Sequence, residues 1–201
     1  MSIIAPKPIA KVQVEAGTYI ARCYSMIHIG TLGYEWQGEK VLTNKISITF
    51  ELPTEMREFG DKKEMKPIVL SQEYGLSLGK KSKLRPLLES WRGKVFTDEE
   101  LENFDVSKLV GVPAFISVIH NEKGYAEIAS ISKLPKGTEC PPQINKSQVL
   151  EYDNWNQELF DKLPEFIKKK ITSTPEYRKL KGLQEPMPEP DESLDPNSIP
   201  F

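Results

Sequence analysis

The sequence predicts a mainly β fold with a helical insertion and a helical end, on three observations. Ile46, Ile48, Phe50 and Leu52 alternate with polar residues, the period of a half-buried strand. Two β-rich runs, 113–120 and 125–134, are joined by Asn-Glu-Lys-Gly, which is hairpin chemistry with Gly124 at the left-handed position. Helical spacing is confined to 81–104 and to the stretch from 154 onward.

The elements follow in order. Residues 1–11, with Pro6 and Pro8, read as a loose lead-in. "GTYIARCYSMIHIG" (17–30) is rich in β-branched and aromatic residues between glycines and reads as a strand, with Arg22, Tyr24, Met26 and His28 on one alternating face. "TLGYEWQGE" (31–39) reads as a glycine-punctuated loop, "KVLTNKISITFEL" (40–52) as the second strand, and "PIVLSQEY" (67–74), after a charged stretch at 53–66, as the third. In 81–93 Leu84, Leu87, Leu88 and Trp91 share a helical face that Gly93 ends; in phase with leucines, Trp91 reads as core. Thr97 and Glu100 form a capping-box pattern for a short second helix. The hairpin of 113–134 completes five strands. Their order, three strands, a helical connection and two strands, fits a five-stranded oligonucleotide/oligosaccharide-binding (OB) Greek-key barrel with its helix between strands 3 and 4, although other small barrels and α+β sheets share parts of it.

Beyond Pro135 the pattern is helical: 154–171 interrupted by Pro164, then 173–183 restarting with Thr174 as cap and Pro175 at the first helical position. From Gln184 on, five prolines and no basic residue predict disorder. The organisation expected is an OB-type domain over 1–140, a helical appendage over 141–183 and an acidic tail over 184–201.

Composition bounds function. With 38% hydrophobic and 28% charged residues among 201, the chain falls in the soluble globular class. No apolar run nears the ~18 residues of a membrane span and the first residues lack a signal-peptide core, so a cytoplasmic protein without membrane contact is expected. Cys23 and Cys140 stand alone, with neither His28 nor His120 at ligand spacing, so no disulfide framework, metal site or cofactor is expected. The net charge of −2 hides a split: Glu185, Glu189, Asp191, Glu192 and Asp195 make the tail acidic, leaving 27 basic against 24 acidic residues before it. A mildly basic body suggests an anionic partner.

Signatures of catalysis are missing. "GLSLGKKS" (75–82) sits between a strand and a helix as a phosphate loop would, but has three residues between its glycines where four are needed. No nucleophile elbow or zincin motif occurs. An enzyme is not expected.

Basic residues interleaved with aromatics do stand out. Lys80, Lys81, Lys83 and Arg85 cluster before Trp91; Arg22 and Tyr24 lie on the first strand, Tyr34 and Trp36 in the loop after it, Lys45 on the second strand, Lys123 and Tyr125 at the last hairpin. Single-stranded nucleic acid is bound by such mixtures, since cations track phosphates while flat rings stack on unpaired bases. The plainer alternatives are a solvated helix start for Lys80–Arg85 and rings of Tyr34 and Trp36 folded back over the barrel end.

"GTYIARCYSMIHIGT", "LRPLLESWRGKVFTDEEL" and "YAEIASISKLPKG", with the "LPEFIKKKI" and "PEY" helices, resemble phage-encoded single-stranded DNA-binding proteins over 17–181. The resemblance implies an OB barrel, no catalysis, and work at a replication fork in the host bacterial cytoplasm. The end, "DESLDPNSIPF", resembles the C-terminal tip of bacterial single-stranded DNA-binding proteins, which implies that Asp191, Glu192, Asp195, Ile199, Pro200 and Phe201 dock replication or recombination proteins. It departs from that tip in placing Pro196-Asn197-Ser198 between the last acid and Ile199. The expectation is therefore a non-enzymatic protein that coats single-stranded DNA and recruits partners. The rivals are an OB-type protein–protein adaptor that never touches DNA, and a small nuclease or annealing factor, which would need a carboxylate cluster around a metal.

Overall fold

The computed structural model describes residues 14–36, 39–60 and 62–183. β1 (Gly17–Trp36), β2 (Glu39–Phe59) and β3 (Glu64–Gly75) form an antiparallel meander, and β4 (Pro113–His120) and β5 (Ala126–Ser132) a hairpin. The first residues of β1 pair with β4, so the sheet runs β3-β2-β1-β4-β5. A short β6 (Gln148–Leu150) joins β1 in parallel. The two end strands, β3 and β5, touch without a ladder between them among the described residues. Between β3 and β4 lie α1 (Leu84–Arg92), α2 (Asp98–Asn103) and a 3-10 turn (Val106–Leu109); after β6 come α3 (Gln157–Lys162), α4 (Glu165–Thr172) and α5 (Pro175–Leu180). The fold is mainly β.

Local chemistry explains most of these limits. Ile46, Ile48, Phe50 and Leu52 all point into the main core and are at most 6% exposed. Trp91 closes the same core from α1; its ring tilts on Phe50 at 5.1 Å, and its indole N–H donates to the Pro113 carbonyl at 2.9 Å. α1 stops where Gly93 turns left-handed at φ 69°. Thr97 and Glu100 form the reciprocal capping box of α2. Pro164 separates α3 from α4, because it has no N–H for a continuous ladder. Thr174 caps α5 ahead of Pro175.

Three expectations about the first three strands are corrected, and a fourth about the chain beyond Pro135, where β6 (Gln148–Leu150) adds a sixth strand within the stretch read as helical. Residues 31–36 are strand, not loop: β1 continues to Trp36 and pairs with β2 down to Glu39 as a two-stranded ribbon. The β-forming run Val41-Leu42-Thr43 offers that segment a ladder partner, and Gly33 merely lies opposite Leu42. The charged stretch at 53–66 is also largely strand, turning only around Gly60–Lys63. Charge on an exposed hairpin does not oppose pairing.

The third correction concerns β1 itself. Arg22, Tyr24, Met26 and His28 do not share one face, because the register shift at Cys23/Ser25 resets the alternation between Tyr24 and Met26. Ala21, Cys23 and Met26 enter the main core, while Ile27 and Ile29 turn the opposite way into a second core. That second core is completed by Leu150, Phe160, Leu163, Ile167 and Ile171. β1 is thus buried on both faces.

Candidate nucleic-acid interface

The cations proposed from sequence divide into engaged and exposed ones. The Arg22 guanidinium donates to the carbonyls of Gly111 (2.7 Å), Pro141 (3.0 Å) and Cys140 (3.4 Å). It latches two distant segments to β1 and has little left for a phosphate. Arg85 Nε donates to Glu89 Oε1 at 3.1 Å on its own helix; the Phe96 N–H and Arg85 together hold that carboxyl below its ordinary range. Lys45 lies 3.6 Å from Glu73, which Lys170 of α4 also contacts. Lys80, Lys81 and Lys83 are exposed and make no ion pair among the described residues. They occupy the connection from β3 to α1, which leaves the sheet beside the ribbon, with the Leu76 N–H donating to the Asn44 carbonyl at 2.7 Å.

The aromatics are scattered along β1. Tyr34, 47% exposed, stands on the ribbon opposite Val41, and the backbone places Trp36 at the ribbon end opposite Glu39. Lys123 and Tyr125 are exposed at the β4–β5 turn, which the Gly17–Val118 register puts at the other end of β1. Asn121 shapes that turn by accepting from the N–H groups of Lys123 and Tyr125. Tyr34, Trp36 and the Lys80–Lys83 connection therefore belong to one end of the sheet, and Lys123 with Tyr125 to the other. Asp191, Glu192, Asp195, Ile199, Pro200 and Phe201 lie outside the described residues.

Tyr24 sits between these ends, on the outer face of β1–β2–β3. Burial, with the Glu51 carboxylate and Cys23 adding to it, raises its hydroxyl pKa above the ordinary range. Much of this face is covered. Glu51, fully buried, accepts from the N–H groups of Ile144 and Asn145 (both 2.8 Å) and from Asn145 Nδ2 (2.7 Å), which pins the segment before β6 across β2. α3–α5 lie over the neighbouring part of β1: Tyr152 donates to the Ile29 carbonyl at 2.8 Å, and Glu176 accepts from the N–H and hydroxyl of Thr31. What stays open is a groove of about 330 Å³ between the sheet and the α3–α4 turn. Tyr24, Val69 and Phe166 line it with the hydroxyls of Ser47, Thr49 and Ser71 and the carboxyl of Glu73.

Sequence reasoning missed Glu51 and Phe166 as residues of this face. Phe166 carries a readable signal: Leu163, Ile167 and Ile171 fall on one helical stripe, which leaves Phe166 at its margin, 63% exposed. Glu51 carries none, since an acid between Phe50 and Leu52 looks like any solvent-facing strand residue.

No group of three or more His, Cys, Asp or Glu among the described residues is arranged to hold a metal, and no described helix is long and apolar enough to cross a membrane. No protein-family model matches the chain, and neither a curated protein nor a solved structure does. The site must be read from its own geometry.

Proposed function

We propose that the protein binds single-stranded DNA without strong sequence preference and recruits replication or recombination proteins through its acidic Ile-Pro-Phe tail. The observation that carries this reading is the exposed Lys80-Lys81-Lys83 connection, which leaves β3 at the base of the β1–β2 ribbon on which Tyr34 is exposed. Ammonium groups free to meet phosphates, at the same end of the sheet as a ring able to stack on bases, are what sequence-tolerant binding of a flexible strand requires. The strand path β3-β2-β1-β4-β5, with helices between β3 and β4 and the end strands in touch, supports an OB-type barrel as the scaffold. Such barrels use the face of strands 2 and 3 and the loops that flank it; Tyr34 and Trp36 lie on β1 toward the end of the β1–β2 ribbon, and Lys123 and Tyr125 at the β4–β5 turn.

The test is a titration of intrinsic tryptophan fluorescence with oligo-dT and with a duplex of equal length, at several salt concentrations. Quenching by the single strand alone, weakening as salt rises, is the expected result. Replacing Lys80, Lys81 and Lys83 by Ala should flatten the dependence of log affinity on log salt by about 2, at roughly 0.7 per lost phosphate contact. No binding of either oligonucleotide at low salt would sink the reading. The adaptor alternative draws on one observation, that Arg22, Lys45 and Arg85 already have protein partners. It predicts that the triple Lys→Ala variant keeps full function.

A further inference from the structure

We infer that the groove between the β1–β2–β3 face and the α3–α4 turn is a subsite for one unpaired base of a nucleic-acid strand. This rests on the single-strand reading above and assigns it a second contact region, away from the ribbon. Three features of the groove select a base over other occupants. Its lining joins the rings of Tyr24 and Phe166 to the apolar side chain of Val69, so a flat heterocycle gains stacking and apolar contact on entering. Ser47, Thr49 and Ser71 supply hydroxyls on the sheet side, with Thr49 and Ser71 2.8 Å apart in a bond whose donor can be either group. Hydroxyls that rotate between donor and acceptor suit the edges of any of the four bases. The volume of about 330 Å³ admits one base with part of its sugar.

The border fits the backbone of such a strand. Glu73, itself part of the lining, holds the ammonium groups of Lys45 and Lys170 beside the groove, both still partly exposed. The chain then leaves β3 at Gly75 and runs into Lys80, Lys81 and Lys83. A strand that seats a base in the groove meets Lys45 and Lys170 first and the exposed lysines next. Phe166 is 63% exposed on a helix whose buried stripe does not use it, so its ring is available at the groove for an unpaired base to stack on.

The experiment uses the full-length chain, oligo-dT and anisotropy detection. Phe166→Ala should weaken oligo-dT binding about fivefold to hundredfold, the range for losing one stacked base. The factor should be equal at low and high salt, because stacking releases no counterions. Phe166→Tyr should restore affinity. Exposure of Phe166 keeps Phe166→Ala folded, which a thermal melt verifies. Independently, an oligo-dT carrying 5-iododeoxyuridine should photo-cross-link to Tyr24 or Phe166. Wild-type affinity in Phe166→Ala with cross-links only at Tyr34, Trp36 or Tyr125 would overturn the groove and leave the single-strand reading standing. Failure of the wild-type protein to bind oligo-dT would remove both. Protection of the groove by a peptide of residues 191–201, with no effect of Phe166→Ala on oligo-dT binding, would overturn the base subsite in favour of a peptide groove.

Discussion

At Glu51 a carboxylate is removed from water entirely and answered by three N–H donors from a segment over ninety residues away in sequence. Charge-assisted bonds of this kind are roughly twice as strong as neutral ones, and the asymmetry of losing them is larger still. Glu51→Ala strands two backbone N–H groups and an amide in a buried place, so it should cost at least about 2 kcal/mol in urea unfolding. A neutral response would mean that water reaches the site. Glu100 offers a pH test. Lys94 foremost, then the Thr97 N–H and Arg92, pull its pKa from 4.5 down to about 2, against the opposing effect of burial. A depressed carboxyl stabilises the fold above its unfolded value and loses that contribution as pH falls toward about 2. The difference in urea midpoint between wild type and Glu100→Gln should therefore be constant above about pH 5 and shrink steadily below it. Cys23, fully buried with burial pushing its thiol up to about 12, should resist iodoacetamide until the protein unfolds, while the half-exposed Cys140 reacts first. Of these residues, Glu100 could be recognised from sequence because its partner Thr97 is three positions away. Glu51 could not, because what covers it arrives from residues 144–145.

Among the elements β1 carries the largest reorganisation, and Gly30 is its pivot. Its φ of +98° is left-handed, and a Cβ there would meet Tyr152 Oη, Glu176 Oε2 and Thr174 Oγ1 at 2.8–2.9 Å. Each oxygen belongs to the layer of α3–α5 and the turn before it. Gly30→Ala should lower stability by about 1–3 kcal/mol through strain at that backbone, and should loosen this layer first. Limited proteolysis would cut near 173–183 before it cuts β2; cleavage spread evenly over the chain would argue against a localised clash. Glu73 is the opposite case, an acid whose removal should help. Glu73→Gln leaves Lys45 and Lys170 without their shared partner, so oligo-dT affinity should rise at low salt and converge with wild type as salt increases. Helix limits were legible because Gly93, Thr97, Pro164 and Thr174 act within one turn of chain. The bulges were not, since a ladder slips according to both strands, and β1 alone does not state what β2 will accept.

For the whole molecule, two cores share one strand. The main core needs the inner face of β1 at Ala21, Cys23 and Met26, and the second needs Ile27 and Ile29. A chain ending at residue 150 would expose Ile27, Ile29 and Leu150, so it should melt lower than the full protein and aggregate. Removal of 184–201 should leave the melting temperature unchanged, since five prolines and no basic residue predict a tail that does not fold. Calorimetry on the three forms would decide. The mainly β character and the place of the helices were readable from periodicity alone. That the helices after residue 154 would roof β1 was not, because an apolar stripe states that it will be covered and never by what.

The three tryptophans fall one to a district. Trp91 is sealed in the main core, Trp155 stacks with Tyr152 beneath Lys181 in the helical layer, and Trp36 ends the ribbon. Single-indole versions of the chain would make it a molecule with three separately readable lamps. A ligand on the ribbon would dim one, a disturbance of the roof another, and only global unfolding the third.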